Sequence, residues 1–187
     1  MKAISFAIVL ALLMMVGHAA EAQRARPEGF HGEKFEANKK FGLGLELGAP
    51  TGLTGKLFIS PDNAIDFGIG DLYHNYYVDN GAGLHVYADY LWHPFVLTKA
   101  EAFYLPFYIG VGGRFWSFDY NCRGCTGADA FGIRVPIGIS FDFNNVPLDI
   151  FIQLVPTLDF FRNYNGPGTH DIYLDVDFSF GARFWFS

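Results

Sequence analysis

The last stretch of the chain, Asp171 to Ser187, reads DIYLDVDFSFGARFWFS. Ile172, Leu174, Val176, Phe178, Phe180, Ala182, Phe184 and Phe186 fall on one side of a two-residue repeat. Tyr173, Asp175, Asp177, Ser179, Gly181, Arg183 and Trp185 fall on the other. A repeat of two is the geometry of a β-strand, whose successive side chains point to opposite faces. This strand has one apolar face and one wet face. A soluble barrel and a membrane barrel differ in which of the two looks outward.

The same alternation runs back to Phe41. Phe41, Leu43, Leu45 and Leu47 alternate with Gly42, Gly44, Glu46 and Gly48, and Ala49-Pro50-Thr51-Gly52 reverses the chain. A second strand sets Leu53, Leu57 and Ile59 against Thr54, Lys56 and Phe58, and Ser60-Pro61-Asp62-Asn63 has turn composition. Ile65, Phe67 and Ile69 then oppose Asp66, Gly68 and Gly70, and Leu84, Val86, Ala88 and Tyr90 oppose His85, Tyr87 and Asp89. The connection from Trp92 to Phe103 hides strand ends. Leu105, Phe107, Ile109, Val111 and Phe115 face away from Tyr108, Gly110, Gly112, Arg114 and Trp116. The sixth strand spans Phe131 to Asp142, and the seventh sets Leu148, Ile150, Ile152, Leu154 and Leu158 against Asp149, Phe151, Gln153 and Thr157. With the final stretch this makes eight strands. The connections 71–83, 117–130 and 162–170 are long and the alternate ones short, which places the long ones at one end of an antiparallel meander.

The apolar rows hold no charge within the strands, whereas the opposite rows hold Glu46, Lys56, Asp66, Asp89, Arg114, Arg134, Asp175, Asp177 and Arg183. A charge on the lipid face of a barrel costs about 2 to 4 kcal/mol at the midplane, which accounts for so strict an exclusion. The expected fold is therefore all-β: an eight-stranded antiparallel up-and-down transmembrane β-barrel with its apolar face outward and a lumen charge network inside. Glycines at 42, 44, 48, 68, 70, 110, 112, 132, 138 and 181 share the inner face with Tyr87, Tyr108, Trp116, Phe151, Tyr173 and Trp185. In so narrow a ring, small residues must face large ones, and side chains fill the bore. Pro106, Pro136 and Pro156 lie inside strands, and since proline cannot donate to a ladder, bulges are expected there. Aromatic girdles are expected from Phe41, Trp92, Phe141, Phe143, Phe184 and Phe186 at the inner rim. Tyr73, Tyr76, Tyr77, Phe118, Tyr120, Phe161 and Tyr164 supply the outer one.

Ahead of the barrel, Met1-Lys2, an apolar run from Ala3 to Val16 and the small residues around Ala20-Glu21-Ala22 read as a secretory signal peptide, residues 1–22, with cleavage after Ala20 as the alternative. Residues 23–40 are polar, of mixed charge and without period, and are expected to be a flexible tail before the barrel domain, residues 41–187. Formal net charge is -6, which gives no reason to expect nucleic acid.

From Phe41 to Ser187 the chain resembles the small eight-stranded outer-membrane barrels of the OmpX and OmpA transmembrane-domain class, including uncharacterised members. The most specific match is Ser179-Phe180-Gly181-Ala182-Arg183-Phe184-Trp185-Phe186, followed here by Ser187. It looks like the C-terminal signal read by the outer-membrane assembly machinery, with Ser179, Gly181, Phe184 and Phe186 in the signal positions. The resemblance implies location in the bacterial outer membrane, with lipid and that machinery as partners.

Local chemistry points to no reaction. Gly55-Lys56 is not a phosphate loop, because Pro50 stands at the first glycine position, Leu57 replaces Ser or Thr, and no helix follows. Lys56 is expected to pair with Glu46 or Asp66. Cys122 and Cys125, close together in an exported loop, are expected to form a disulfide rather than a zinc or redox site. His31, His74, His85, His93 and His170 show no metal-ligand spacing, and His85 near Asp89 reads as a network member. No catalytic residue, cofactor or metal is expected. The function expected is non-enzymatic, structural or surface-binding, in a monomer with a plugged lumen. Tyr73, Tyr76, Tyr77, Tyr120 and Tyr164 are candidate loop contacts for an extracellular protein or surface ligand. The alternatives are an outer-leaflet lipid-modifying enzyme, with His74, His170 and Asp171 near the rim, or a narrow channel.

Overall fold

Segments of period two cannot bond their own backbone and must find partners on neighbouring strands. The structure, a computed structural model, describes residues 33–71, 83–118, 128–162 and 170–186. Its strands are β1 Phe41–Gly48, β2 Thr51–Phe58, β3 Asn63–Asp71, β4 Gly83–Lys99, β5 Phe103–Phe118, β6 Ala128–Arg134, β7 Ile137–Phe143, β8 Leu148–Arg162 and β9 His170–Trp185. Every pairing is antiparallel, and except at β6 and β7 each strand pairs with its sequence neighbours. β6 and β7 share one position between β5 and β8, and β9 returns to β1, so nine segments make a closed ring of eight strands. The long β4 includes the residues around Trp92 to Lys99 that the sequence leaves as strand ends.

The register sets the shape of the ring. Stepping across partners from Leu43 leads through Gly55, Phe67, Ala88, Gly113, Ile133 and Leu158 to Leu174. Leu43 itself pairs with Phe184, ten residues along β9 from Leu174. Ten residues at roughly 3.3 Å each, spread over eight strands about 4.8 Å apart, tilt the strands by about 40°. The same offset leaves a step in the outer rim. β1 ends at Gly48 opposite Ser179, so residues 170–178 of β9 pair with β8 and, among the described residues, with no strand on their other side.

The outer face is the apolar one. Leu45, Phe131 and Ile172 are about two-thirds exposed, while Asp66 and Arg134 are fully buried. An apolar wall around a charged interior is the arrangement of a membrane barrel. Among the described residues no helix is long and apolar enough to cross a membrane.

Inside, large residues lie directly across from glycines: Tyr87 from Gly68, Tyr108 from Gly138, Phe151 from Gly181 and Trp185 from Gly42. A Cβ on Gly68 would come within 2.4 Å of the Tyr87 ring, and one on Gly138 within 2.5 Å of the Tyr108 ring. The glycines are the space into which the rings lie. Gly48, with φ at 123°, has a separate reason, since it enters the β1–β2 turn in a conformation that side chains disfavour.

Three expectations are corrected. A register shift occurs near Pro106, on β4 opposite it, but Pro136 and Pro156 produce none. Pairing with β5 keeps the same register before and after Pro136, from Gly112 with Arg134 to Ile109 with Ile137, and Pro156 pairs with Val176 without a shift. The Gly110 N–H donates to the Pro136 carbonyl and the Val135 N–H to the Pro156 carbonyl, both at 2.9 Å. Each proline thus keeps one bond of a reciprocal pair and drops the other, which interrupts the ladder between β6 and β7 without inserting a residue. Second, Phe161 does not join the outer girdle. It points inward, 2% exposed, with its ring 5.1 Å from Trp116 and 5.2 Å from Tyr173.

Third, the last part of the expected tail is packed. The Ala37 N–H donates to Pro61 at 2.7 Å, the Val96 N–H to Glu33 at 2.9 Å, and the Phe58 N–H to Lys40 at 2.8 Å. Lys39 crosses to Asp142 and also donates to the Phe143 carbonyl at 2.8 Å. Phe35, 3% exposed, enters the cluster of Phe58, Ala64, Leu91, Val96, Tyr108 and Trp185. Residues 33–40 therefore form an arm across the inner mouth, on the side of the tight turns. Alternation could not reveal it, because the arm is held by one ring and scattered backbone bonds rather than by a repeating face.

Replacing Gly138 by valine should force the Tyr108 ring from its place at a cost of about 1 to 3 kcal/mol. Urea unfolding in detergent checks this, and an unchanged midpoint would show that the inner glycines are not space-setting.

Candidate functional site

The inner residues assemble into tiers, each built around an arginine with its guanidinium stacked on a ring. Nearest the arm, Arg183 lies 3.8 Å over Phe151. Its Nη2 is 2.8 Å from Asp66, its Nη1 3.8 Å from Asp149, and its Nε donates to Thr54 at 3.3 Å. In the middle, Arg134 lies 3.9 Å over Tyr87, with its Nε 3.2 Å from Asp89 and its Nη1 3.5 Å from His85. Toward the long connections, Arg114 lies 4.8 Å over Trp116. It grips both oxygens of Asp159, bonds Asp177 and donates to Thr157 at 3.0 Å.

Between the first two tiers runs a hydrogen-bonded relay around Glu46. The Tyr87 hydroxyl donates to Glu46 at 2.6 Å, and the Gln153 amide reaches Glu46 at 3.2 Å and Ser179 at 2.9 Å. The Tyr108 hydroxyl donates to Gln153 at 3.1 Å. Glu46 is fully buried, so the Tyr87 hydroxyl and the Gln153 amide stand in for waters that its carboxyl group gave up.

All nine lumen charges expected from the pattern sit on the inner wall. Their pairing was only partly legible. Lys56 does not pair with Glu46 or Asp66; its Nζ bonds His93 Nε2 at 2.8 Å, while His93 Nδ1 lies 3.2 Å from the Asp62 carbonyl. Lys56 and Asp66 are cross-strand partners, but Arg183 from β9 takes the carboxylate, because its planar fork reaches across the bore. His85 joins the network as expected, through Arg134. Asp175 stays half-buried and accepts the Val176 N–H at 2.8 Å. The network members missed are Asp149, Asp159 and His93. Asp149 already stood on the inner row, and Asp159 continues that row two residues past Thr157; His93 sits beside the β4 register shift, where the alternation is broken.

The assembly-signal residues occupy β9 where it closes on β1: Ser179 across from Gly48, Gly181 from Glu46 and Phe184 from Leu43. Phe186 stacks on Phe41 at 6.1 Å. Cys122, Cys125, His74 and Tyr73, Tyr76, Tyr77, Tyr120 and Tyr164 lie outside the described residues.

Chemically, the tiers set three buried cations among carboxylates inside the bore. Each guanidinium is held in plane by a ring and in place by carboxylates. Removing Arg183 would leave Asp66 and Asp149 buried without their cation, a loss of about 3 to 5 kcal/mol. R183M should therefore lower the unfolding midpoint far more than the triple variant R183M/D66N/D149N. Equal losses in the two would show that the ion pairs contribute nothing.

Comparison with solved structures finds the N-terminal β-barrel domain of Pseudomonas aeruginosa OprF, with a TM-score of 0.51 and 15% identity, over 78% of this chain and 94% of that one. Ail, the attachment invasion locus protein of Yersinia pestis, also matches, with a TM-score of 0.39 and 13% identity over 81% of this chain and 100% of that one. Among curated proteins nothing matches. The first likeness agrees with the ring of eight strands and concerns the fold alone. The characteristic sequence of one family matches residues 32–187, the arm and the whole barrel, and the chain belongs to that family, described as protein of unknown function (DUF3996).

Proposed function

We propose that the chain is an integral outer-membrane barrel, sealed inside and non-enzymatic, which anchors in lipid and presents its three long connections as a binding surface. The observation that carries this reading is the stack of three arginine tiers, which fill the bore and argue against passage of solutes. Ser140 and Ser179, candidate nucleophiles by residue type, are 3% and 0% exposed on the inner wall, and Ser179 is tied to Gln153. Neither faces lipid, which disfavours lipid modification by either. The apolar outer wall and the β9–β1 closure, with the signal-like Ser179, Gly181, Phe184 and Phe186, support insertion by the outer-membrane assembly machinery. A monomer meets the needs of this reading, since the ring closes within one chain.

On this proposal the purified protein changes gel mobility on boiling and shows no conductance in planar bilayers. Protease added to intact cells cuts within 71–83, 117–130 or 162–170 and leaves the barrel whole. Discrete current steps from the wild-type protein would sink the sealed-lumen reading, and a lipid change that depends on His74 or His170 would replace it with the enzymatic one. Phe178 is half exposed on the outer wall, so F178D should reduce outer-membrane levels in line with a midplane penalty of about 2 to 4 kcal/mol; wild-type levels would contradict the membrane placement.

A further inference from the structure

The arm across the inner mouth holds a ring in a place with the features of a binding site. The Phe35 ring packs at a tilt against Phe58, with centroids 5.6 Å apart, and against His93, 5.1 Å apart. Phe58 stacks in turn on Trp185 at 5.6 Å, and His93 on Tyr108 at 5.5 Å. The result is an aromatic box at the inner mouth, and Phe35, which belongs to no strand, is its occupant.

The floor of the box is a cation. Lys56 Nζ lies 5.1 Å from the centre of the Phe58 ring and 4.8 Å from that of Tyr108. An ammonium has three donors, and among the described residues the bond to His93 is the hydrogen bond Lys56 makes. The three arginines beyond it differ, each bound to at least one carboxylate. A fully buried cation with donors to spare, under a ring supplied by a strap, is what an anion with a flat apolar body would meet.

A crevice adjoins the box. It measures about 320 Å³ and lies between the arm and the β2–β3 turn, lined by Lys39, Lys40, Ser60 and Phe58 among others. Phe58 is thus the wall shared by the crevice and the box. The volume is at the lower end of the range for small-molecule sites, and of the two lysines at its edge Lys39 is tied to Asp142 while Lys40 favours a negative ligand.

We propose that the inner mouth is a binding site for a small aromatic carboxylate, which Phe35 occupies in its absence. Binding withdraws the Phe35 ring, places the ligand ring between Phe58 and His93, and brings its carboxylate to Lys56. The tie between Lys39 and Asp142 holds the arm shut, because it joins the arm to the far wall of the mouth.

The test uses the full chain in detergent micelles and 4-fluorophenylacetate as probe, followed by fluorine NMR. F35A should bind at least tenfold more tightly than wild type, and F35A/K56Q should lose that gain. D142N keeps Phe35 and the crevice but unties Lys39, and it should also bind more tightly than wild type. Gel mobility before and after boiling reports whether each variant is a folded barrel, and D142N decides the matter if F35A is not. The proposal is overturned if the folded variants bind no better than wild type. It is equally overturned if F35A/K56Q binds as tightly as F35A, since the probe would then be following micelle or apolar surface rather than the cation.

Discussion

Inner side chains converge on one axis in a ring of eight strands, and the bore is only wide enough for those side chains to fill. Everything inside this barrel follows from that crowding. At four places where a strand sends in a large ring, its neighbour has withdrawn to glycine: Gly68 for Tyr87, Gly138 for Tyr108, Gly181 for Phe151, Gly42 for Trp185. The rings then lie flat against the wall and offer their faces to the axis. A guanidinium is also flat, so arginine can stack on such a ring and still reach a carboxylate on the far side. The tiers of Arg183, Arg134 and Arg114 are the packing solution for a bore this wide.

Charges so placed are costly to remove from water, and burying an ion pair gives no assurance of net stability. Their value here is geometric. Arg183 draws together β3 through Asp66, β8 through Asp149 and β2 through Thr54. Arg114 on β5 draws together β8 through Asp159 and β9 through Asp177. Apart from the Arg183–Asp149 contact, which joins neighbouring strands, these contacts skip at least one strand of the hydrogen-bond ladder. A strand slipped by one residue would turn its carboxylate out into lipid, so the network penalises wrong registers as well as supporting the right one.

What the sequence made legible was the wall. Period two, the exclusion of charge from one row and the placement of glycines with large residues on the other row decided the ring, its inside and its outside, because each is a repeated constraint that many residues report at once. What it did not make legible depends on single contacts. The partner of Lys56 is His93, two strands away, and no spacing along the chain relates them. Phe161 looked like a rim aromatic until the row running through Thr157 and Asp159 was extended to it. Pro136 and Pro156 signalled distortion, yet each sits where only one of two reciprocal bonds needs its missing N–H. The arm was the largest omission: a polar stretch of mixed charge contains one Phe35 and one Lys39 that find partners inside the mouth, and composition averages them away.

The offset that tilts the strands has a further result. A ring closed by hydrogen bonds need not be closed along its whole height, and a meander whose connections follow the sheet must meet itself out of step. That mismatch falls between β9 and the short β1, where residues 170–178 carry backbone groups beyond the reach of β1. Asp175 turns its carboxylate back to take the Val176 N–H, doing for one exposed donor what a missing strand would have done. The loose end of the sheet is thus partly tied off by its own side chain, where the wall would otherwise invite a foreign strand.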